Sequence, residues 1–117
     1  MRTSFFFSAA LAASLVACGG GAPPPSDRLA TAEAASRSAR ELGADKQPQA
    51  QLHLQLADEQ IAQAKKLMAD GENKRADFVL QRAGSDAELA VMLAKENNAR
   101  GENEKAQDHL KNIKAGK

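Results

Sequence analysis

The sequence predicts an all-α fold, and three observations support this prediction. From residue 27 onward the chain consists mainly of Ala, Leu, Glu, Lys, Gln and Arg, the residues with the highest helix propensity. β-Branched residues are few, and no alternating apolar and polar run of strand length occurs. Gly43, Gly71 and Gly101 divide the helical part at intervals of 28 and 30 residues. This spacing predicts one helix per interval, each closed by a glycine in the left-handed conformation.

Residues 1–17 have the features of a secretory signal peptide. Arg2 precedes an apolar run of twelve residues, from Phe5 to Val16. A helix that spans a bilayer needs about twenty apolar residues, so this run is too short for one. The alternative is a buried core helix, but the position at the N-terminus and three consecutive phenylalanines favour a signal.

The segment Leu15–Cys18 reads Leu-Val-Ala-Cys and resembles the bacterial lipobox. At a lipobox the cysteine thiol receives a diacylglycerol through a thioether, the signal is cleaved just before the cysteine, and the new amine is acylated with a fatty acid such as palmitate. A secreted chain with a single cysteine is otherwise unusual, because a disulfide needs two; the alternative is a free buried thiol. Gly19, rather than an aspartate, follows Cys18 and resembles an outer-membrane address. We therefore expect a lipid anchor in the outer membrane, with the domain facing the periplasm.

Residues 18–26 form the predicted tether, and residues 27–117 form the predicted helical domain. Three glycines make the tether flexible, and three prolines keep it extended. We expect a small antiparallel bundle of three long helices and a short C-terminal fourth helix. Their predicted ranges are 27–42, 48–70, 74–99 and 104–114.

A repeat of thirty residues supports the break between the last two helices. The segment "ADGENKRADFVL" begins at Ala69, and "ARGENEKAQDHL" begins at Ala99. Chance similarity in an alanine-rich chain is the alternative interpretation. We interpret the pair as a repeated helix–turn unit, in which Gly71 and Gly101 have the same role.

The predicted core is thin, because its helical stripes are rich in alanine. The second helix presents Leu54, Ala57, Ile61, Ala64 and Met68 at helical spacing. The stripe of the third helix, from Ala76 to Ala94, is mostly alanine and allows a neighbouring helix to approach closely. Four larger apolar residues lie off that stripe and are the predicted partner contacts: Phe78, Leu89, Met92 and Leu93. For Phe78 a position in the core is the alternative.

From Ser38 onward the pattern resembles a family of bacterial lipoproteins known as domain of unknown function 4398. The resemblance rests on several short motifs: Ala39-Arg40 before Gly43-Ala44, then Pro48, then a helix around Ile61 and Ala64, then Gly71 with Ala76, then the segment Ala83–Ala90. It covers roughly residues 38–100. The resemblance implies a helical fold and an envelope location, and it implies no biochemical activity, cofactor or substrate.

Composition and motifs argue against several function classes. Without Arg2 the mature chain has equal numbers of basic and acidic residues, and Phe78 is its only aromatic, so we expect no nucleic-acid binding. His53 and His109 each lack a second histidine or a cysteine at metal-ligand spacing. No nucleophile elbow or phosphate-binding loop occurs. We expect no enzyme activity, no metal and no cofactor.

These expectations lead to an interaction protein of the cell envelope. A lipid-anchored helical module would hold or position an unknown envelope protein, or a second copy of itself. The alternative is a structural protein attached to peptidoglycan through Lys117. That alternative rests on the terminal "KAGK", because Braun-type lipoproteins combine a lipidated cysteine, an alanine-rich helix and a C-terminal lysine joined to the cell wall.

Overall fold

The computed structural model describes residues 21–116, and these residues form an all-helical structure without strands. Helix α1 spans Ser26–Glu41, α2 spans Pro48–Ala69 and α3 spans Asn73–Lys114, with a 3₁₀ turn at Ala44–Lys46 before α2. The predicted all-α class is confirmed. The predicted signal peptide at 1–17, the lipidation site Cys18 and Lys117 lie outside the described residues.

Glycines close α1 and α2 as predicted. Gly43 has φ 81° and Gly71 has φ 76°, the left-handed conformation that glycine adopts without steric cost. At the first turn the N–H of Gly43 donates to the carbonyl of Arg40 at 2.9 Å. Pro48 opens α2 as its first residue, where a missing N–H leaves no helical hydrogen bond unmade.

The predicted fourth helix is wrong, because α3 continues through Gly101 without a break. The helix contains 42 residues and is about 63 Å long. An interior glycine costs only about 1 kcal/mol relative to alanine, so it permits a break without requiring one. The buried residues of α3 form its core stripe: Ala76, Leu80, Ala83, Ala87, Ala90 and Ala94. After Gly101 the same helical spacing continues with Glu104, Asp108 and Lys111, which a fourth helix folded against the bundle would have to bury. Those charged residues offer nothing to bury, so the helix runs on.

Ion pairs between the helices define how α1 lies against its neighbours. They are Glu33–Lys65 (Oε1–Nζ 2.6 Å), Arg40–Asp58, and Arg28–Asp77 (Nε–Oδ1 2.7 Å). Along α1 the partner numbers in α2 fall, so the two helices run in opposite directions. All these side chains are a third or more exposed, so the pairs contribute little free energy and serve mainly to set register.

The core contains two clusters of buried residues, which follow one another along the axis of α3. The first is Ala32, Ile61, Ala64, Leu67, Ala76, Leu80 and Ala83; the second is Ala39, Ala44, Ala50, Leu54, Ala90 and Ala94. Leu80 is the largest side chain that is fully buried. Because most members are alanines, the helices approach closely but remove little apolar area from water, as the sequence predicts.

The core ends at Ala94, whereas α3 continues for twenty more residues. We call the segment Lys95–Lys114 the extension. Its side chains are exposed throughout. Asn98 makes its two hydrogen bonds to the rest of the molecule: Nδ2 donates to the carbonyl of Leu42 at 3.1 Å, and Oδ1 accepts from Gln47 Nε2 at 3.4 Å. Beyond this residue the helix projects away from α1 and α2.

Candidate interaction surface

Apolar side chains recur on one face of α3 along its whole length, interspersed with the polar residues Arg82, Ser85, Glu96 and Asn103. These apolar side chains are spaced by three and four residues or their sums, and we call them the outer stripe: Phe78, Leu89, Met92, Ala99, Ala106, Leu110 and Ile113. Each position lies two residues after a position of the core stripe or of its continuation. Two residues correspond to about 200° around a helix. The outer stripe therefore faces away from α1 and α2.

The large residues of the outer stripe are exposed. Phe78 is 68% exposed and Met92 is 66% exposed, and Leu89, Leu110 and Ile113 are also exposed. They are all the exposed large apolar residues of α3. Among the described residues the one other such residue is Leu52 on α2. Scattered apolar residues are common on protein surfaces, but five aligned on one side of one helix are typical of a contact surface.

Leu93 is the exception among the four predicted contact residues. The prediction that it is exposed is wrong, because Leu93 is partly buried and packs against the cluster around Ala90 and Ala94. It lies one residue after Met92, and the turn of about 100° brings it toward α1 and α2. Phe78, Leu89 and Met92 are exposed at the places where the sequence predicts them.

Sequence reasoning did not include Leu110 and Ile113, because it assigned them to a separate helix. A signal for them was present in the sequence. Met92, Ala99, Ala106 and Ile113 are spaced by seven residues, which is the heptad repeat of one helix face. The predicted break at Gly101 concealed this repeat.

The end of the tether lies beside the first residue of the outer stripe. Asn73 Nδ2 donates to the carbonyl of Ala22 at 2.7 Å, so the chain before α1 is held against the start of α3. Pro23–Pro25, Asn73 and Phe78 line an open cleft of about 390 Å³ there. Its walls are mainly apolar, so the cleft enlarges the apolar surface around Phe78.

A small polar network joins α2 to α3 on a different face. His53 Nδ1 lies 3.0 Å from Asp86 Oδ1, and Gln60 Nε2 donates to Asp86 Oδ2 at 2.9 Å. The bonded residues are separated by 33 positions in the first pair and by 26 in the second, so no local sequence pattern predicts these bonds. The network fixes the register of the two helices. His109 is exposed on the extension, and residues 21–116 hold no group of three or more His, Cys, Asp or Glu that could bind a metal ion.

Comparison with known families assigns the helical part of the chain. The family model described as Domain of unknown function (DUF4398) matches residues 27–107. The chain belongs to this family. Among curated proteins and among solved structures no significant match was found. None of the helices within residues 21–116 is both long enough and apolar enough to cross a membrane.

The family match covers α1, α2 and most of α3, and it continues past Gly101 into the extension. It includes Phe78, Leu89 and Met92. It ends at residue 107, so Leu110 and Ile113 lie beyond the matched region. The outer stripe from Phe78 to Ala106 therefore lies within the family match, and its last two residues lie outside it.

Proposed function

We propose that this protein is a lipid-anchored, non-catalytic contact module of the cell envelope. In this proposal Cys18 carries acyl chains in the outer membrane, and the tether holds a small antiparallel bundle on the periplasmic side. The outer stripe binds an envelope protein. The observation that carries the proposal is the alignment of five exposed large apolar side chains along the face of α3 opposite the core.

The geometry of the outer stripe suits a helical partner. Apolar residues at alternating intervals of three and four form the seam of helix pairs, in which side chains of one helix fit between those of the other. Each large apolar side chain that leaves water contributes about 1.5–3 kcal/mol before the costs of association. Phe78 is the largest of them and lies beside the tether cleft, so it is the best single probe of the contact.

The contact is tested by replacing Phe78 with Ser and cross-linking proteins in intact envelopes. We expect the partner cross-link to be lost while helicity and melting temperature stay unchanged, because Phe78 is mostly exposed. Leu52→Ser is the matched control, since Leu52 is 54% exposed on α2 and lies off the outer stripe. If Phe78→Ser unfolds the domain, Phe78 is a core residue and the proposed contact at this position is wrong.

The anchor is tested at Cys18, the only cysteine of the chain. A diacylglycerol on the sulfur together with an acylated amine would give stable membrane binding, whereas one chain alone binds only marginally. We expect Cys18→Ala to leave the protein uncleaved or to release it from the lipid fraction. Normal membrane partitioning of Cys18→Ala protein at mature size would contradict the anchor.

A structural role at the cell wall is the second candidate, and the extension favours it. The extension carries the end of α3 about 30 Å beyond the last core residue, and Lys117 follows three residues after α3. In this role the extension would hold the end of α3 away from the bundle and toward the cell wall. This role predicts that some protein stays with purified cell wall after boiling in detergent, and that Lys117→Ala abolishes that fraction. Complete release of the unaltered protein by detergent would contradict this role.

A further inference from the structure

We infer that the partner on the outer stripe is a second copy of this chain, with the two α3 helices packed in opposite directions. This inference rests on the proposed function of the outer stripe as a contact surface, and it adds the identity of the occupant. It follows from the polar residues on and beside the outer stripe, whose charges discriminate between the possible arrangements.

The row of positions that the outer stripe occupies has the heptad spacing of a two-helix seam, and two other positions of that row carry charges. Arg82 lies between Phe78 and Leu89, and Glu96 lies between Met92 and Ala99, each on the same row. Charged residues at such positions tolerate few partners, because desolvating a charge without an opposite one is costly. The seam therefore has an apolar centre at Leu89 and Met92 with one basic and one acidic position on either side.

A parallel pair of α3 helices brings like charges together. In that arrangement each seam residue faces its own copy, so Arg82 meets Arg82 and Glu96 meets Glu96. At the edge of the seam Lys95 of one helix lies near Arg100 of the other. Like charges in direct opposition are destabilising, so the charge pattern opposes the parallel arrangement.

An antiparallel pair centred between Leu89 and Met92 resolves these conflicts. Leu89 of each copy then lies level with Met92 of the other, so the centre is fully apolar. Arg82 lies within one helical turn of Glu96 of the second copy. In this register Arg82 is level with Ala99 and Glu96 is level with Ser85, so no two like charges oppose each other in the seam.

The edge of this antiparallel seam also has opposite charges. Along the helix axis, Glu88 of one copy and Lys95 of the other are offset by about 3 Å. Because the dimer is symmetric, this pair occurs twice. Both side chains are exposed, and neither forms an ion pair within residues 21–116. A shift by one heptad in one direction brings Glu88 against Glu88. A shift in the other direction brings Lys95 against Lys95. The charges thus select one register.

The extension gives a second reason for a partner of this kind. Most of the stability of helices in proteins comes from tertiary packing, and the extension makes almost no tertiary contacts within one chain. In the antiparallel register the first part of the extension packs along the start of the second copy's α3, with Ala99 level with Arg82 and Asn103 level with Phe78. Leu110 reaches the level of Gly71, within about 5 Å along the axis of the tether cleft. The first part of each extension is thereby covered by the α3 helix of the other copy.

Space for the second copy is present, because the outer stripe lies opposite the core. The two bundles would stand on the outer sides of the paired α3 helices, and the side chains of α1 and α2 would not enter the seam. Met92 and Phe78 are accessible in the single chain without any rearrangement. The pairing therefore needs no change in the fold.

The test is the molar mass of the full chain, solubilised from membranes in mild detergent and measured by sedimentation equilibrium over a range of concentrations. We expect a monomer–dimer equilibrium. Glu88→Lys and Lys95→Glu should each weaken the dimer about tenfold, because each change turns two attractive pairs into repulsive ones. The double variant Glu88→Lys/Lys95→Glu should restore the affinity to within about threefold, since the pairs are re-formed with reversed signs.

Apolar variants and a control complete the test. Leu89→Glu and Met92→Glu should abolish the dimer while the bundle of α1, α2 and the first part of α3 stays folded, and Leu52→Glu should leave the dimer intact, since Leu52 lies on α2. A monomer at all concentrations overturns the inference, and so does a double charge variant that stays as weak as the single ones. If the chain is a monomer while Phe78 still cross-links to a different envelope protein, this inference fails and the proposed contact function stands. If the dimer and its charge rescue are present, the inference is supported whether or not another protein also cross-links.

Discussion

Two segments of this chain have similar sequences and different structures. The segment Ala69–Leu80 contains the turn between α2 and α3 and the first residues of α3, whereas Ala99–Leu110, thirty residues later, lies within one continuous helix. Gly71 has φ 76° in the first segment, and Gly101 is helical in the second. The difference shows that a glycine with its neighbours permits a turn, and that another factor decides whether the turn forms.

The residues before each glycine explain the difference. At the real turn the N–H of Glu72 donates to the carbonyl of Leu67 at 2.8 Å, and the side chain of Leu67 is buried with Leu80 in the first core cluster. The equivalent of Leu67 is Asn97, which is exposed. A turn at Gly101 would therefore bury no apolar surface to offset the helical hydrogen bonds it breaks.

The largest expected effect comes from the two leucines that match in the repeat, Leu80 and Leu110. Leu80 is 0% exposed, and Leu110 is 57% exposed. Leu80→Ala should lower the free energy of unfolding by about 2–5 kcal/mol, because it leaves a cavity in a thin core. Leu110→Ala should leave it unchanged within about 0.5 kcal/mol. Urea unfolding followed by circular dichroism measures both. Equal losses would show that the extension folds back onto the bundle.

The two glycines themselves give the next largest contrast. Gly71→Val should lower the free energy of unfolding by about 1–2 kcal/mol, since a β-branched residue is strained in the left-handed conformation. Gly101→Val should leave stability unchanged or slightly raised, because valine is a better helix former than glycine. The melting temperatures of the two variants are the measurement. A neutral Gly71→Val would mean that this turn is not required, and a destabilising Gly101→Val would indicate a turn at Gly101.

The smallest effect distinguishes the covered part of α3 from the extension. Gly84 is helical, and no atom lies within 4 Å of a Cβ added there, so Gly84→Ala should raise the free energy of unfolding by about 1 kcal/mol. Gly101→Ala has equal space but should slow amide hydrogen exchange only within the extension. A global gain from Gly101→Ala as large as that from Gly84→Ala would show that the extension unfolds together with the bundle.

Local signals in the sequence predict most of the helix boundaries. The predicted ranges of the first two helices agree with α1 and α2 within one residue, because Gly43, Pro48 and Gly71 act through the backbone alone. The predicted break at Gly101 fails because a turn also needs residues to bury, which depend on the tertiary fold.

Contacts distant in sequence set the limit of what could be predicted for the candidate surface. The stripe of alanines in α3 predicts its core face, and Phe78, Leu89 and Met92 follow as exposed residues off that stripe. Leu93 packs against the core because the start of α2, at Pro48 and Ala50, covers that side of the helix, and the position of α2 is not encoded locally. The bonds of Asp86 with α2 are hidden from sequence reasoning for the same reason.

The most direct measurement of the account is site-specific photo-cross-linking in intact cells. A photoreactive residue in place of Met92 or Leu110 probes the outer stripe on both sides of Ala94, and one in place of Leu52 probes an equally exposed apolar site on α2. If the outer stripe is the contact surface, Met92 and Leu110 should give a discrete protein adduct, and Leu52 should give none. Adducts of equal yield at all three positions, or at Leu52 alone, would contradict the claim that this face of α3 is the contact surface.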